Sequence, residues 1–298
     1  MIRIEYSEQS ELLAGRQVLA RPCEDFFRDA ILEVSPRCSG PEDWTLSLAP
    51  SLMFDSSGLL LLINALKEYS GPASEIRFRL ALDPDAYRDY YSLGPESVHH
   101  LRLLLPVTAR RSAVGSSGSA TLDIEFDYCT RDLEFPSSLA DVRRMNTPLA
   151  LLMECHGEFD ILFANQVAIF SALARDLRRH PLAWAKAILS RRRGSWKQRL
   201  GLAYTRIHPD ADVHPTAVVE GSVIAAGARV GAHCVVRYSH IGERAELSDG
   251  AKVEFSVVGP GSWLMHDLVI FRCHVEDEVF LIHGPYQFSC FQSRSAAF

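Results

Sequence analysis

Lysine is scarce in this chain. Only four of the 31 basic residues are Lys (Lys67, Lys186, Lys197 and Lys252), a bias of composition and not of mechanism. An excess of positive charge is also missing: the net charge of −6 gives no reason to expect nucleic acid as a partner. No pair among the seven cysteines, at 23, 38, 129, 155, 234, 273 and 290, has C-x-x-C spacing. That argues against a zinc site or a dithiol centre, and an odd count suits reduced thiols. Long apolar runs are absent: Gly58–Leu66, the longest, is far too short to span a bilayer. No charged-then-apolar segment at the N-terminus suggests export, so the expected location is cytoplasmic. What remains is an ordinary globular composition, 47% apolar over 298 residues, enough for two domains with real cores.

The most regular part of the chain begins at Ile207. Aliphatic residues recur at Ile207, Val213, Val219, Ile224, Val230, Val236, Ile241, Leu247, Val253, Val258, Leu264, Ile270, Val275 and Leu281. Their spacings are 6, 6 and 5, repeated four times and closed by one more 6. An α-helix repeats every ~3.6 residues and a hairpin sheet every ~2, so neither makes a 17-residue period. A three-sided parallel β-coil does, with one short strand per side and each aliphatic residue pointing inward. Along the short sides, Ser222, Ser239, Ser256 and Cys273 form a column of small residues, as a narrow coil requires.

Val230-Gly231, Ile241-Gly242 and Val258-Gly259, with Ala217, Ala228, Ala245 and Ala251 at small positions, resemble the left-handed β-helix of hexapeptide-repeat transferases. That fold serves acyltransferases, sugar nucleotidyltransferases and non-catalytic proteins alike, so it sets the architecture and not the chemistry. The expected domains are 1–165, an α/β domain; 166–206, a basic helical linker; and 207–298, the left-handed parallel β-helix.

Residues 1–165 alternate strand and helix signals, which predicts an α/β layer. Ile2–Tyr6, Trp44–Leu48, Glu75–Leu82, His100–Val107, Thr121–Tyr128 and Pro148–Glu154 read as strands. Ser57 is placed to cap a helix running to Lys67, and Asp83-Pro84 to start another. The Gly- and Ser-rich stretch Ser112–Ala120 reads as a loop. From Asp160 to Arg179 the period becomes helical, with Ile161, Ala164, Ala168, Phe170, Leu173 and Leu177 on one face. Pro181 then breaks the helix.

The stretch Asp160-Ile161-Leu162-Phe163-Ala164-Asn165 looks like the helix start that precedes the β-helix in sugar-1-phosphate nucleotidyltransferases. These include the bifunctional N-acetylglucosamine-1-phosphate uridyltransferase/acetyltransferase. The resemblance implies a sugar or nucleotide-sugar ligand touching Asp160 and Asn165; read alone, Asp160 is a helix cap. In the same family a Gly-rich loop cradles the phosphate. Its counterpart here, Leu12-Leu13-Ala14-Gly15-Arg16, lacks the second Gly and the Thr. Arg16 therefore reads either as a phosphate contact or as a surface residue, and the domain as degenerate. Magnesium is implied only if that domain is active, and Asp123, Glu125 and Asp127 read as a solvated strand face.

The basic stretch from Arg175 to Arg199, around Trp184 and Trp196, has three readings: a connecting helix with solvated charge, an anion site, or a helix on a membrane surface.

In the coil, Asp249, His266 and His283 are 17 apart and should stack on adjacent turns, about 4.8 Å from strand to strand. Such a column orients an imidazole and raises its basicity. The bifunctional acetyltransferases carry a catalytic His shortly after a Gly-x-Gly-Ser turn. Here Gly259-Pro260-Gly261-Ser262 precedes His266 at similar spacing, while Val269 stands where that family has a Tyr. The resemblance implies that His266 deprotonates an acceptor that attacks an acyl-CoA thioester. His240 and His274 read as structural. Two function classes follow: an acyl-CoA-dependent transferase acting on a sugar-linked hydroxyl or amine, and a non-catalytic nucleotide-sugar-binding or scaffolding protein. The resemblance also implies a homotrimer with the site between subunits, burying Trp263, Val269, Phe271 and Phe280 as outward apolar residues.

Overall fold

The structure is a computed structural model that describes residues 1–6, 13–14, 16–40, 43–81, 102–111, 121–127, 130–134, 144–190, 202–282, 286–288 and 291–292. The chain forms two compact units. One comprises residues 1–16, 22–131 and 148–160; the other comprises 17–21, 132–147 and 161–298.

The first unit is an α/β layer. Its sheet contains β1 (Ile2–Tyr6), β2 (Trp44–Leu48), β3 (Glu75–Ala81), β4 (Arg102–Arg111) and β5 (Thr121–Asp127), in the order β1-β2-β4-β3-β5. The sheet is mixed. β1 pairs with β2 and β3 with β5 in parallel, while β4 runs antiparallel to both its neighbours. Helix α1 (Cys23–Val34) buries Phe26, Phe27, Ala30 and Val34, the spacing of one helical stripe. Phe27 stacks on Phe54 with ring centroids 4.7 Å apart, and Tyr6 meets both rings edge-on.

Helix α2 (Ser56–Glu68) is capped two residues earlier than expected: Asp55, not Ser57, accepts the Gly58 N–H at 2.8 Å. The same carboxylate oxygen accepts the Leu151 N–H at 3.2 Å, a partner 96 residues away. The expected strand Pro148–Glu154 is split: Pro148 closes one strand, Arg144–Pro148, and Leu152–Glu154 forms another, which pairs antiparallel with Leu52–Phe54. The expected helix start at Asp83-Pro84 and the loop Ser112–Ala120 lie outside the described residues.

The second unit holds a left-handed parallel β-solenoid of about four turns, with strands 17 residues apart pairing in register on three faces. Face 1 includes Val223–Ile224, His240–Ile241, Val257–Val258 and His274–Val275. Face 2 includes Arg229–Val230, Glu246–Leu247, Trp263–Leu264 and Phe280–Leu281. Face 3 includes Val235–Arg237, Lys252–Glu254 and Val269–Phe271. The aliphatic residues from Ile224 to Leu281 that set the period form one buried cluster, with Val213 and Val219 packed against it. Ile207 departs from the expectation: it is 47% exposed, because its strand is the edge of face 1 and has a coil on one side only.

The small-residue column carries a hydrogen-bond ladder. Ser222 Oγ accepts the Ser239 N–H at 3.1 Å, Ser239 Oγ the Ser256 N–H at 3.1 Å, and Ser256 Oγ the Cys273 N–H at 3.0 Å. Each hydroxyl also donates to the carbonyl two residues before it. These groups would otherwise be stranded, because the backbone leaves its strand geometry at this corner inside a dry core. Gly259 serves the same tight stacking: a Cβ there would lie 2.5 Å from the Glu276 backbone in the next coil.

Helix α3 (Glu158–Arg179) is buried all round from Ile161 to Ser171, so its first half has no solvent face. Gln166 donates to the Phe255 carbonyl, and Phe170 lies against the Phe255 ring. Phe255 in turn stacks on Tyr238 at 5.2 Å and meets Phe271 edge-on at 5.4 Å. Phe271 and Val269 are therefore covered within this chain, contrary to the expectation that they face water. Helix α4 (Pro181–Ser190) follows after His180, and Trp184 on it donates to the Asp176 carboxylate at 2.7 Å.

Candidate functional site

The corner that joins face 2 to face 3 carries Asp249 and His266 on successive coils. The register Glu246↔Trp263 and Leu247↔Leu264 continues through the corner and stacks Asp249 under His266, 17 residues on. Both side chains are exposed. The turn itself is tied from coil to coil: Asp267 donates its N–H to the Asp249 carbonyl at 3.0 Å, and Gly250 donates to the Ala232 carbonyl at 2.8 Å. Asp267 and Gly250 both have left-handed backbone, φ 56° and 77°.

The Asp249 carboxylate faces the preceding coil. Its Oδ1 accepts the Ala232 N–H at 2.7 Å, so the side chain is first of all a turn clamp. It forms no ion pair with His266. His283, the third member of the expected column, lies outside the described residues.

Beside this corner, face 2 offers an apolar edge. Trp263 and Phe280 pack ring to ring at 4.8 Å and are 43% and 37% exposed. The Trp263 indole N–H donates to Ser248 Oγ at 2.9 Å, which fixes its orientation one coil away from its own strand. Nothing in the sequence pattern announced that bond, because both residues sit in outward positions that the period leaves unassigned.

The residues expected to bind substrate in the rest of the chain are engaged in the fold. Arg16 is paired with Glu158 at 3.1 Å. Asp160 Oδ2 accepts the N–H groups of His156 and Gly157 at 2.7 and 3.0 Å, the back-reaching bond of a capping box at the start of α3. Asn165 is fully buried: it accepts the Leu19 N–H at 2.7 Å and donates to the Gln17 and Ile161 carbonyls at 3.1 and 2.9 Å. Leu19 and Ala20 have φ 53° and 58°, costly for residues with a Cβ, and Asn165 holds that turn. Asp123 is bound by Arg77 and Arg79 of the neighbouring strand, each Nε at 2.9 Å. Its charge is thus already balanced by protein. Among the described residues, no three His, Cys, Asp or Glu side chains converge to hold a metal ion.

Three other side chains are silenced by burial. The Cys23 and Cys155 thiols are pushed up to about 12 by desolvation, far from the thiolate a nucleophile needs. His240 is pushed down to about 4 by desolvation and is neutral at physiological pH. His274 is also fully buried, as a structural histidine should be. A further feature was not foreseen: on face 3, Arg237 lies between two buried carboxylates, with Nε 2.8 Å from Glu220 and Nη1 3.5 Å from Glu254.

No family model and no curated protein matches the chain. Solved structures similar to part of it include the acetyltransferase domain of PglB from Neisseria gonorrhoeae FA1090 in complex with acetyl coenzyme A. It is 23% identical over 30% of this chain and 51% of that one, with a TM-score of 0.24. A second structure of the same domain gives 23% identity, the same coverage and a TM-score of 0.23. This chain thus spans about half the length of those structures, and at such TM-scores the likeness has no functional weight.

Proposed function

We propose that the protein is an acyl-CoA-dependent acyltransferase whose β-solenoid acts on a sugar-linked hydroxyl or amine. The observation behind this reading is the exposed His266, stacked over Asp249 at an open corner of the coil. In this reading the His266 imidazole accepts the acceptor's proton as its oxygen or nitrogen attacks the thioester carbonyl. The tetrahedral intermediate then expels the thiolate, which takes the proton back from the imidazolium. The exposed Trp263 and Phe280 edge suits the apolar part of an acyl thioester, and Lys252, at the start of the strand after the Asp249 corner, offers a cation for its phosphates. The sugar acceptor and a cytoplasmic location are part of the proposal. So is a homotrimer that covers the Trp263–Phe280 edge and brings His266 to a neighbouring chain; light scattering should give about three times the 33.3 kDa chain, and a mass near one chain would refute it.

A second reading has its own support. Arg16, Asp160 and Asn165 are engaged in internal contacts, as expected of a chain that keeps a nucleotidyltransferase-like architecture without its chemistry. That reading makes the protein a non-catalytic nucleotide-sugar-binding or scaffolding protein. Thermal unfolding in the presence of acyl-CoA, nucleotides and nucleotide sugars separates the two. A ligand at 100 times its dissociation constant stabilises by about 2.7 kcal/mol. A shift with acyl-CoA supports the transferase, a shift with nucleotide sugar alone supports the binding protein, and a flat response to all supports a scaffold.

A further inference from the structure

Helix α4 presents an apolar face that no described residue covers. Leu182 is 84% exposed and Leu189 78%, although Trp184 between them is buried. At 100° per residue, Leu182 and Leu189 share one side of the helix, Ala185 lies beside them, and Trp184 points the opposite way. The helix is therefore docked by Trp184, through its bond to Asp176 and its packing near the Tyr204 ring, with its leucines directed outward. Leu177, near the end of α3, is 41% exposed as well.

Basic residues adjoin this helix in the chain. Arg178, Arg179 and His180 are exposed just before α4, and Lys186 is exposed on the flank of the leucine side. Between residues 175 and 199 the sequence carries nine Lys or Arg side chains and one acidic one, in a chain of net charge −6. In the sequence, basic residues are thus concentrated in the segment that contains this helix. Leucines that lead, with cations beside them, match a lipid surface: the apolar side chains enter the acyl boundary and the cations meet anionic headgroups. A nucleic acid would use the cations and have no use for the leucines. A ten-residue helix is about 15 Å long, half the hydrocarbon thickness of a bilayer, and no helix among the described residues is long and apolar enough to cross one.

We propose that α4 is a peripheral membrane anchor, which docks the protein on anionic phospholipid through Leu182 and Leu189. This holds whether or not the solenoid is catalytic. The test is co-sedimentation of the full chain with vesicles of phosphatidylcholine alone or mixed with phosphatidylglycerol. Binding should be at least about tenfold stronger to the mixed vesicles and fall about tenfold as salt rises to molar strength. The double variant Leu182→Ser/Leu189→Ser should lose at least about tenfold with an unchanged melting temperature, since both side chains already face solvent. Lys186→Glu should weaken binding without touching the leucines. The proposal is overturned if the protein ignores mixed vesicles at low salt, or if the double variant binds as well as the parent. It is also overturned if the leucines instead drive self-association in the absence of lipid, which would assign the face to a second copy of the chain.

Discussion

The Asp249 carboxylate accepts the N–H of Ala232, one coil before it, at 2.7 Å, while His266 stands one coil after it. A charged acceptor on a backbone donor is worth about 1 kcal/mol or a little more at an exposed turn. Asp249→Ala should therefore lower stability by about that amount, seen in urea unfolding. Asp249→Asn keeps an acceptor and removes only the charge, so it should leave stability nearly unchanged and reduce any transferase rate by less than about tenfold. A loss with Asp249→Asn as large as with His266→Ala would mean that the two act as one catalytic unit.

Arg237 balances Glu220 and Glu254 where both carboxylates are buried. Removing it takes a cation from two carboxylates in a dry place. Arg237→Ala should cost about 3–5 kcal/mol. The triple variant Arg237→Met/Glu220→Gln/Glu254→Gln, which removes these three charges together, should recover much of that loss. If the single variant is as stable as the parent by chemical denaturation, these ion pairs contribute nothing.

His240 gives the fold a pH dependence of known sign. Its imidazole is pushed from the ordinary 6.5 down to about 4 by burial. Between those values the unfolded chain binds a proton that the folded chain excludes. Stability from this residue is complete above about pH 6.5, falls as pH drops to about 4, and changes no further below that. The full span is about 3 kcal/mol. The stability difference between the parent and His240→Leu should shift by that order across the window. A constant difference would show that the ring gains its proton without opening the coil.

What could be read in advance was whatever repeats. Inward aliphatic residues every five or six positions revealed the solenoid, because one rule of packing recurs on each coil. The column from Ser222 to Cys273 was legible for the same reason, though not the ladder that its hydroxyls build. Roles set by distant partners were not legible. Asp55 prevails over Ser57 as a cap because Leu151 also needs its carboxylate. Val269 and Phe271 looked outward because the strand pattern is silent about the aromatic cluster that connects Phe170 of α3 to the coil. The spacing from Asp160 to Asn165 was visible, but the clamp on the Leu19–Ala20 turn depends on a contact 146 residues away in the chain. The mixed pairing of the first sheet belongs with these, since a strand's own sequence does not name its neighbour.

The most direct measurement is release of free thiol from acetyl-CoA with an amino-sugar acceptor, comparing the parent with His266→Ala. If His266 is the general base, the variant should lose at least about a hundredfold in kcat with little change in KM for the acyl donor and no loss of melting temperature. Thiol release that is undiminished in the variant would contradict the assignment and leave His266 a surface residue of the coil.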